Sequence, residues 1–296
     1  MAQGLRTFVW ETKQGKSAMT SIRTITIGDT VVQVSGEGTP LVFVHGFTTT
    51  AEFWREQVEA FSARHQMVRI NLPGHGRSPR PADREYTIGA FVEDVLKVYD
   101  TLGIDSTVLI GLSMGGTVVQ NFALSYPERV RALVLVGATP HGLGADVNVD
   151  NVLKAIEDLG VVAASQKVIE RSFGSRASTA LIDFAKDEVA QTPAFVARQA
   201  IASLNASDSR ARLGDIRVPT MVVVGDEDII TPPSESQVLA RGIPNSQLFN
   251  IPWAGHFPML ELPDTFNRLL GDFLMRQGLP PPRIDASATS HVHQNV

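Results

Sequence analysis

The run Ile110-Gly111-Leu112-Ser113-Met114-Gly115-Gly116 constrains this chain more than any other feature, because it joins an apolar stretch, residues 107–110, to an amphipathic one, residues 114–125. A serine at the tip of a strand-to-helix turn, with glycines two residues away on either side, is the pattern of a nucleophile elbow. Such a turn holds its serine in a strained backbone conformation, and flanking residues without side chains let strand and helix approach. The pattern predicts that the Ser113 hydroxyl is presented to a substrate rather than buried.

Around the elbow the chain alternates strand-like and helix-like segments. Residues 23–27 and 30–35 flank Gly28-Asp29 as a tight hairpin, and residues 41–44, 67–71, 107–110 and 131–136 are short apolar runs. Helical spacing occupies residues 51–64, 88–102 and 114–125. Continuous apolar strands alternating with helices predict a mostly parallel sheet covered on both faces, with the opening hairpin adding antiparallel strands at one edge. The rhythm breaks between residues 139 and 213, where only helical stretches occur (149–159, 161–173, 178–190 and 194–204), and this middle is expected to be a helical lid inserted into the α/β unit. Strands return at 219–224 and 247–251, with helices at 234–241 and 263–277. The expected organisation is a flexible extension at 1–18, an α/β core at 19–138 and 214–278, the lid at 139–213, and a disordered tail at 279–296.

Composition narrows the function. With 43% hydrophobic residues in 296, the chain can bury one large core. Its 26 basic and 31 acidic residues leave a net charge of −5, which gives no reason to expect a nucleic acid partner. The absence of cysteine excludes disulfides, thiolate zinc sites and thiol nucleophiles; it fits a reducing compartment and is equally compatible with export. No apolar run approaches the roughly 20 residues that span a bilayer, and the first 18 lack the core of a secretory signal, so no membrane partner and a cytoplasmic location are expected.

Five motifs carry a resemblance. Leu41-Val42-Phe43-Val44-His45-Gly46-Phe47, Asn71-Leu72-Pro73-Gly74-His75-Gly76-Arg77-Ser78, Gly111-Leu112-Ser113-Met114-Gly115-Gly116, Val224-Gly225-Asp226-Glu227-Asp228 and Ala254-Gly255-His256-Phe257 follow one another in the order of the α/β-hydrolase superfamily. From about residue 22 to 277 the chain resembles that superfamily, and within it the serine hydrolases near the 3-oxoadipate enol-lactonases, carboxylesterases and acyl-lactone hydrolases. The resemblance implies the α/β-hydrolase fold, a mostly parallel eight-stranded sheet with an inserted helical lid. It also implies the catalytic order nucleophile, acid, histidine.

Ser113 is a poor nucleophile until a base takes its proton. His256 is the candidate base, in a loop after the strand at 247–251, with Gly255 giving the chain freedom to aim the imidazole. His65 reads as a surface residue at a helix end, and His291 and His293 fall in the tail. The acid belongs in the turn after the strand at 220–224, which holds Asp226, Glu227 and Asp228. The resemblance selects Asp228, whose carboxylate would fix the tautomer of His256, and leaves Asp226 as a turn residue bonding local amides. The fold also implies an oxyanion hole from the amides of Met114 and Phe47. Gly46, His141, Ile229 and Phe257 are expected to line a mostly apolar pocket with them. His45 and Trp54 read as structural residues. Asp183, Lys186, Asp187 and Glu188 read as a solvated face of the lid.

Other chemistries fit less well. Gly74-His75-Gly76 lacks the third glycine of a dinucleotide loop, and no pair of histidines brackets a glutamate at helical spacing. Neither a cofactor nor a metal is expected. Dehalogenases and epoxide hydrolases of this layout carry an aspartate where Ser113 stands, whereas serine suits a carbonyl substrate. The expectation is a small ester or lactone as substrate, with no inference about oligomeric state. The alternatives are a carbon–carbon bond hydrolase of a vinylogous diketone, a lyase like that of the menaquinone pathway, and a non-catalytic binding module. Phe47-Thr48-Thr49-Thr50 follows the first His-Gly where the carbon–carbon hydrolases carry a glycine-rich loop, and Thr117 stands where the lyase branch carries arginine. A complete Ser113, Asp228 and His256 set weighs against a binding module.

Overall fold

The computed structural model describes residues 21–143 and 148–282. Eight strands form one sheet: β1 (Ile22–Ile27), β2 (Thr30–Ser35), β3 (Thr39–Val44), β4 (His65–Asn71), β5 (Thr107–Leu112), β6 (Val130–Val136), β7 (Thr220–Gly225) and β8 (Ser246–Ile251). Their spatial order is β1-β2-β4-β3-β5-β6-β7-β8. The hairpin β1–β2 and the pair β2–β4 are antiparallel, and every other pairing is parallel. Gly28 turns the hairpin at φ 57°, a left-handed conformation that costs glycine little.

The helices are α1 (Arg55–Phe61), α2 (Ile88–Leu102), α3 (Met114–Ser125), α4 (Val149–Glu170), α5 (Thr179–Val189), α6 (Ala194–Ala206), α7 (Pro233–Gly242), α8 (Pro258–Glu261) and α9 (Pro263–Arg276). Strand side chains alternate between the faces of the sheet, so a continuously apolar strand fills two cores. Val42, Val44, Val68 and Ile70 join Phe91, Val95 and Val98 of α2 and Val118 and Phe122 of α3 in one. Leu41, Phe43, Met67 and Ile110 join Phe61 of α1 and Phe266, Leu270 and Phe273 of α9 in the other. Trp54 is wholly buried in that second core, against Phe43.

Between β6 and β7 the chain forms α4, α5 and α6. The two helical stretches expected on either side of residue 160 run on as one element, α4, interrupted at Gly160 with φ 78° and ψ 155°. Among the described residues no helix is long and apolar enough to cross a membrane.

Three expectations are corrected. His65 lies within β4, not at the surface; it is fully buried, with its ring nitrogens against the Thr39 and Pro280 carbonyls. Those carbonyls replace the water that a surface histidine would need. The tail does not begin at Leu279: that side chain is buried, and Pro282 lies against Gly271 of α9, where a Cβ would be 2.4 Å from the proline ring. Residues 1–18 and 283–296 fall outside the described residues. Asp183 and Asp187 face solvent, but Lys186 pairs with Glu170 at 2.5 Å and Glu188 turns inward to accept the Thr50 hydroxyl. Burial there pushes the Glu188 carboxyl above its ordinary range, against the hydrogen bond from Thr50.

Candidate active site

The parallel strands β3, β5, β6, β7 and β8 end at one edge of the sheet, and each delivers a residue to it: Gly46, Ser113, Gly137, Asp228 and His256. Carboxyl ends of strands are where open α/β sheets bind ligands. Main-chain bonds tie these ends together. The Ser113 amide donates to the Val136 carbonyl at 2.9 Å and the Gly137 amide to the Val223 carbonyl at 2.9 Å.

Ser113 has φ 52° and ψ −119°, a conformation that side chains rarely adopt. It is held there by close backbone approach on both sides. A Cβ on Gly111 would lie 2.4 Å from the Gly115 carbonyl oxygen, and one on Gly115 would lie 2.4 Å from that of His45. Neither is a distance that real Cβ atoms show, so the strand, the helix and the neighbouring loop can meet only if these residues are glycine. Ser113 remains partly exposed, and the next residue, Met114, opens α3. Its amide is therefore one of the helix donors without an intrahelical acceptor.

In the loop that follows the neighbouring strand β3, Gly46 lies against the serine: a Cβ there would be 3.2 Å from Ser113 Cβ. Its carbonyl collects the Thr49 amide at 3.3 Å, the Thr49 hydroxyl at 3.0 Å and His45 Nδ1 at 2.8 Å. His45 Nε2 accepts the Leu72 amide at 3.0 Å, so Nδ1 carries the proton and donates. Burial, with His75 beside it, holds His45 well below the usual histidine range, and the ring acts as a neutral brace for the loop. Thr48 in that loop takes φ 55°. Phe47 is half-buried against the small cluster of Ile156, Val161, Ala164 and Ala197, which joins α4 to α6.

The turn after β7 brings in the acids. Asp226 accepts the Trp253 amide at 2.6 Å, and Glu227 accepts the Ser175 amide at 2.5 Å and its hydroxyl at 2.8 Å. Asp228 alone of the three meets the histidine, with Oδ2 2.8 Å from His256 Nδ1. Its Oδ1 accepts the Ile230 and Thr231 amides, each at 2.9 Å, and Thr231 Oγ1 donates to Oδ2 at 2.8 Å. Burial alone would push this carboxyl up. The His256 imidazole and the Thr231 bonds outweigh it, holding Asp228 below the usual carboxylate range. Gly137 underlies the pair: a Cβ there would be 3.0 Å from His256 Nδ1 and 3.3 Å from Asp228 Oδ2.

Gly255 serves close approach rather than freedom to aim the ring, since a Cβ on it would lie 2.3 Å from the Ser172 carbonyl oxygen. Phe257 packs edge-on against His256 at 5.0 Å and also touches Phe53 and Phe173, so it is buried beside the imidazole. Ile229, expected beside the pocket, lies largely in solvent. The turn that wraps Asp228 inward sends its neighbour outward, and Ile229 is 56% exposed. His141 Nε2 lies 3.1 Å from Glu235 Oε2 of α7, and its main chain bridges to Asp208. Thr231 and Glu261 escaped the sequence reading. A threonine three residues after an aspartate is a common turn partner, which is the signal that could have found Thr231.

A model of the alpha/beta hydrolase fold family matches residues 39–161 and 176–263. A protein of Azorhizobium caulinodans provisionally named carbamate hydrolase RutD is 32% identical over 255 residues, covering 83% of this chain and 94% of that protein. A solved structure described as an N-acyl homoserine lactone degrading enzyme is 28% identical with a TM-score of 0.74, covering 85% of this chain and 97% of its own. A thermophilic esterase from Thermogutta terrifontis is 26% identical with a TM-score of 0.78, covering 92% of this chain and 99% of its own.

Proposed function

The chain belongs to the alpha/beta hydrolase fold family, and we propose that it is a serine hydrolase cleaving a small, largely apolar carboxylic ester or lactone through an acyl-enzyme on Ser113. The observation that carries the proposal is the 2.8 Å contact between His256 Nδ1 and Asp228 Oδ2, made at the strand edge that also holds Ser113 at φ 52°. A carboxylate on Nδ1 keeps the proton there and leaves Nε2 as the base.

In this reading Ser113 Oγ attacks the acyl carbon while His256 Nε2 takes its proton. The Met114 and Phe47 amides receive the charge that develops on the carbonyl oxygen, and the positive end of α3 adds to the first. His256 then returns the proton to the leaving oxygen. Water, deprotonated by the same nitrogen, releases the acid. The helices α4, α5 and α6 form the lid over this edge. The aromatic cluster of Phe53, Phe173 and Phe257, whose last ring packs on His256, favours an apolar acyl group. The activities for which the similar proteins are named, on a carbamate, a lactone and esters, share attack on a carbonyl carbon.

Hydrolysis of p-nitrophenyl esters, an enol-lactone, acyl-homoserine lactones and an aryl carbamate, compared between the wild type and Ser113→Ala, tests the proposal. Turnover of an ester or lactone that Ser113→Ala abolishes is the expected result. Equal turnover by the alanine variant would overturn it, as would failure of Ser113 to react with an active-serine phosphonate.

A further inference from the structure

Glu261 stands at the end of α8, five residues after His256, and its carboxylate gathers three backbone amides. Oε2 accepts the Gly174 amide at 2.7 Å, the Gly255 amide reaches both oxygens at 3.0 and 3.1 Å, and Oε1 accepts the Phe257 amide at 3.1 Å. Two of those amides flank His256 directly. The third belongs to the segment that follows α4, and the same segment receives the His256 amide on the Ser172 carbonyl at 2.7 Å.

We propose that Glu261 is a positioning residue for His256, a carboxylate clamp that fixes the histidine loop from both flanks and ties it to the segment Ser172–Gly174 of the helical insertion. The geometry leaves the loop little latitude. A Cβ on Gly174 would lie 2.2 Å from the Trp253 carbonyl oxygen, and one on Gly225 would lie 2.2 Å from those of Ala254 and Gly255. Three backbone runs thus meet with no side chain between them. Hydrogen bonds to a charged acceptor are the strong kind, and a carboxylate is the one side chain that offers two acceptor oxygens and no donor to amides converging from different directions. Burial pushes this carboxyl above its ordinary range, opposed by the three amides and by His256.

The inference rests on the reading of Ser113, Asp228 and His256 as a hydrolytic set, so Ser113→Ala is run beside the test variants. Glu261→Gln keeps the shape of the side chain but sets an NH2 group against an amide donor. Its kcat is expected to fall about 10- to 100-fold, the loss that a misplacement near 1 Å brings, with KM within about twofold. The acid limb of the kcat/KM profile moves to lower pH, because a negative charge that favours imidazolium has gone. Glu261→Asp, which keeps the charge on a shorter arm, recovers part of kcat and serves as the second variant should the glutamine one not fold. Glu227→Gln is the control: it loosens the same segment at Ser175 and leaves the amides beside His256 alone, and its kcat stays within about twofold of wild type.

Wild-type kcat and an unmoved acid limb in folded Glu261 variants would overturn the inference. Equal losses in Glu261→Gln and Glu227→Gln would also overturn it, since the insertion as a whole would then be responsible. Turnover retained by Ser113→Ala fells the functional reading instead, whatever the Glu261 variants do.

Discussion

Asp228 Oδ2 lies 2.8 Å from His256 Nδ1, with both side chains shut off from solvent and Thr231 Oγ1 bonded to the same carboxylate oxygen. In the proposed mechanism the carboxylate has two tasks, to orient the ring and to balance the charge that the ring acquires in turnover. Asp228→Asn keeps the shape and removes both, and kcat is expected to fall about 10³- to 10⁴-fold. Steady-state kinetics on the ester identified as substrate, with circular dichroism to show that the variant is folded, measure it. Asp228 is held below the usual carboxylate range, so its contribution to stability is present above its unfolded pKa and is lost as pH falls through the lower folded value. The asparagine variant should lose less stability than the wild type on acidification.

The strain at Ser113 separates function from stability. At φ 52° and ψ −119° the side chain costs about 1–3 kcal/mol that glycine would not incur. Ser113→Ala and Ser113→Gly should both lose turnover, but the glycine variant should be the more stable of the two by about 1 kcal/mol. Chemical denaturation of the pair reads this difference, and equal midpoints would mean that the elbow stores no strain.

Much of this could be read from the chain because the elements obey local rules. The continuous apolar runs of β3, β5 and β6 could only be strands buried on both faces, and α2 and α3 begin and end where their periodicity does. The elbow was legible because glycine spacing reports close backbone approach. Features that depend on distant partners were not. His65 reads as a surface residue until β4 and the Pro280 carbonyl enclose it. Ile229 reads as apolar lining until the Asp228 turn directs it outward. Glu261 carries no signal of its role, since one of its three donors, Gly174, lies 87 residues away in sequence.

The glycines of the elbow differ sharply from one on a helix surface. Gly111→Ala would force a Cβ to within 2.4 Å of the Gly115 carbonyl oxygen, and the backbone cannot yield without parting β5 from α3. That change should destabilise by about 3 kcal/mol or more and remove activity with it. Gly89, within α2, would meet nothing within 4 Å. Gly89→Ala should stabilise by about 0.5–1 kcal/mol, because alanine is the better helix former. Urea midpoints of the two variants moving in the same direction would contradict the packing described at the elbow.

His75 gives the fold a dependence on pH apart from the chemistry. It is fully buried, with Nδ1 against the Pro73 carbonyl at 3.1 Å and its ring beside His45 and Phe91. Burial pushes it down to about 4, with the Pro73 carbonyl opposing. An unfolded histidine titrates near 6.5. Between those values the unfolded chain binds the proton and the folded one does not, so stability declines as pH is lowered from about 6.5 to about 4. The loss from this residue is of order 3 kcal/mol once the window is crossed, and His45, held down by the same burial, adds to it. Replacing the imidazole by a neutral amide removes the proton uptake. Urea unfolding at pH 7 and near pH 4.5 should therefore show wild type losing more stability than His75→Gln, and parallel losses in the two proteins would show that the buried ring does not govern the acid sensitivity.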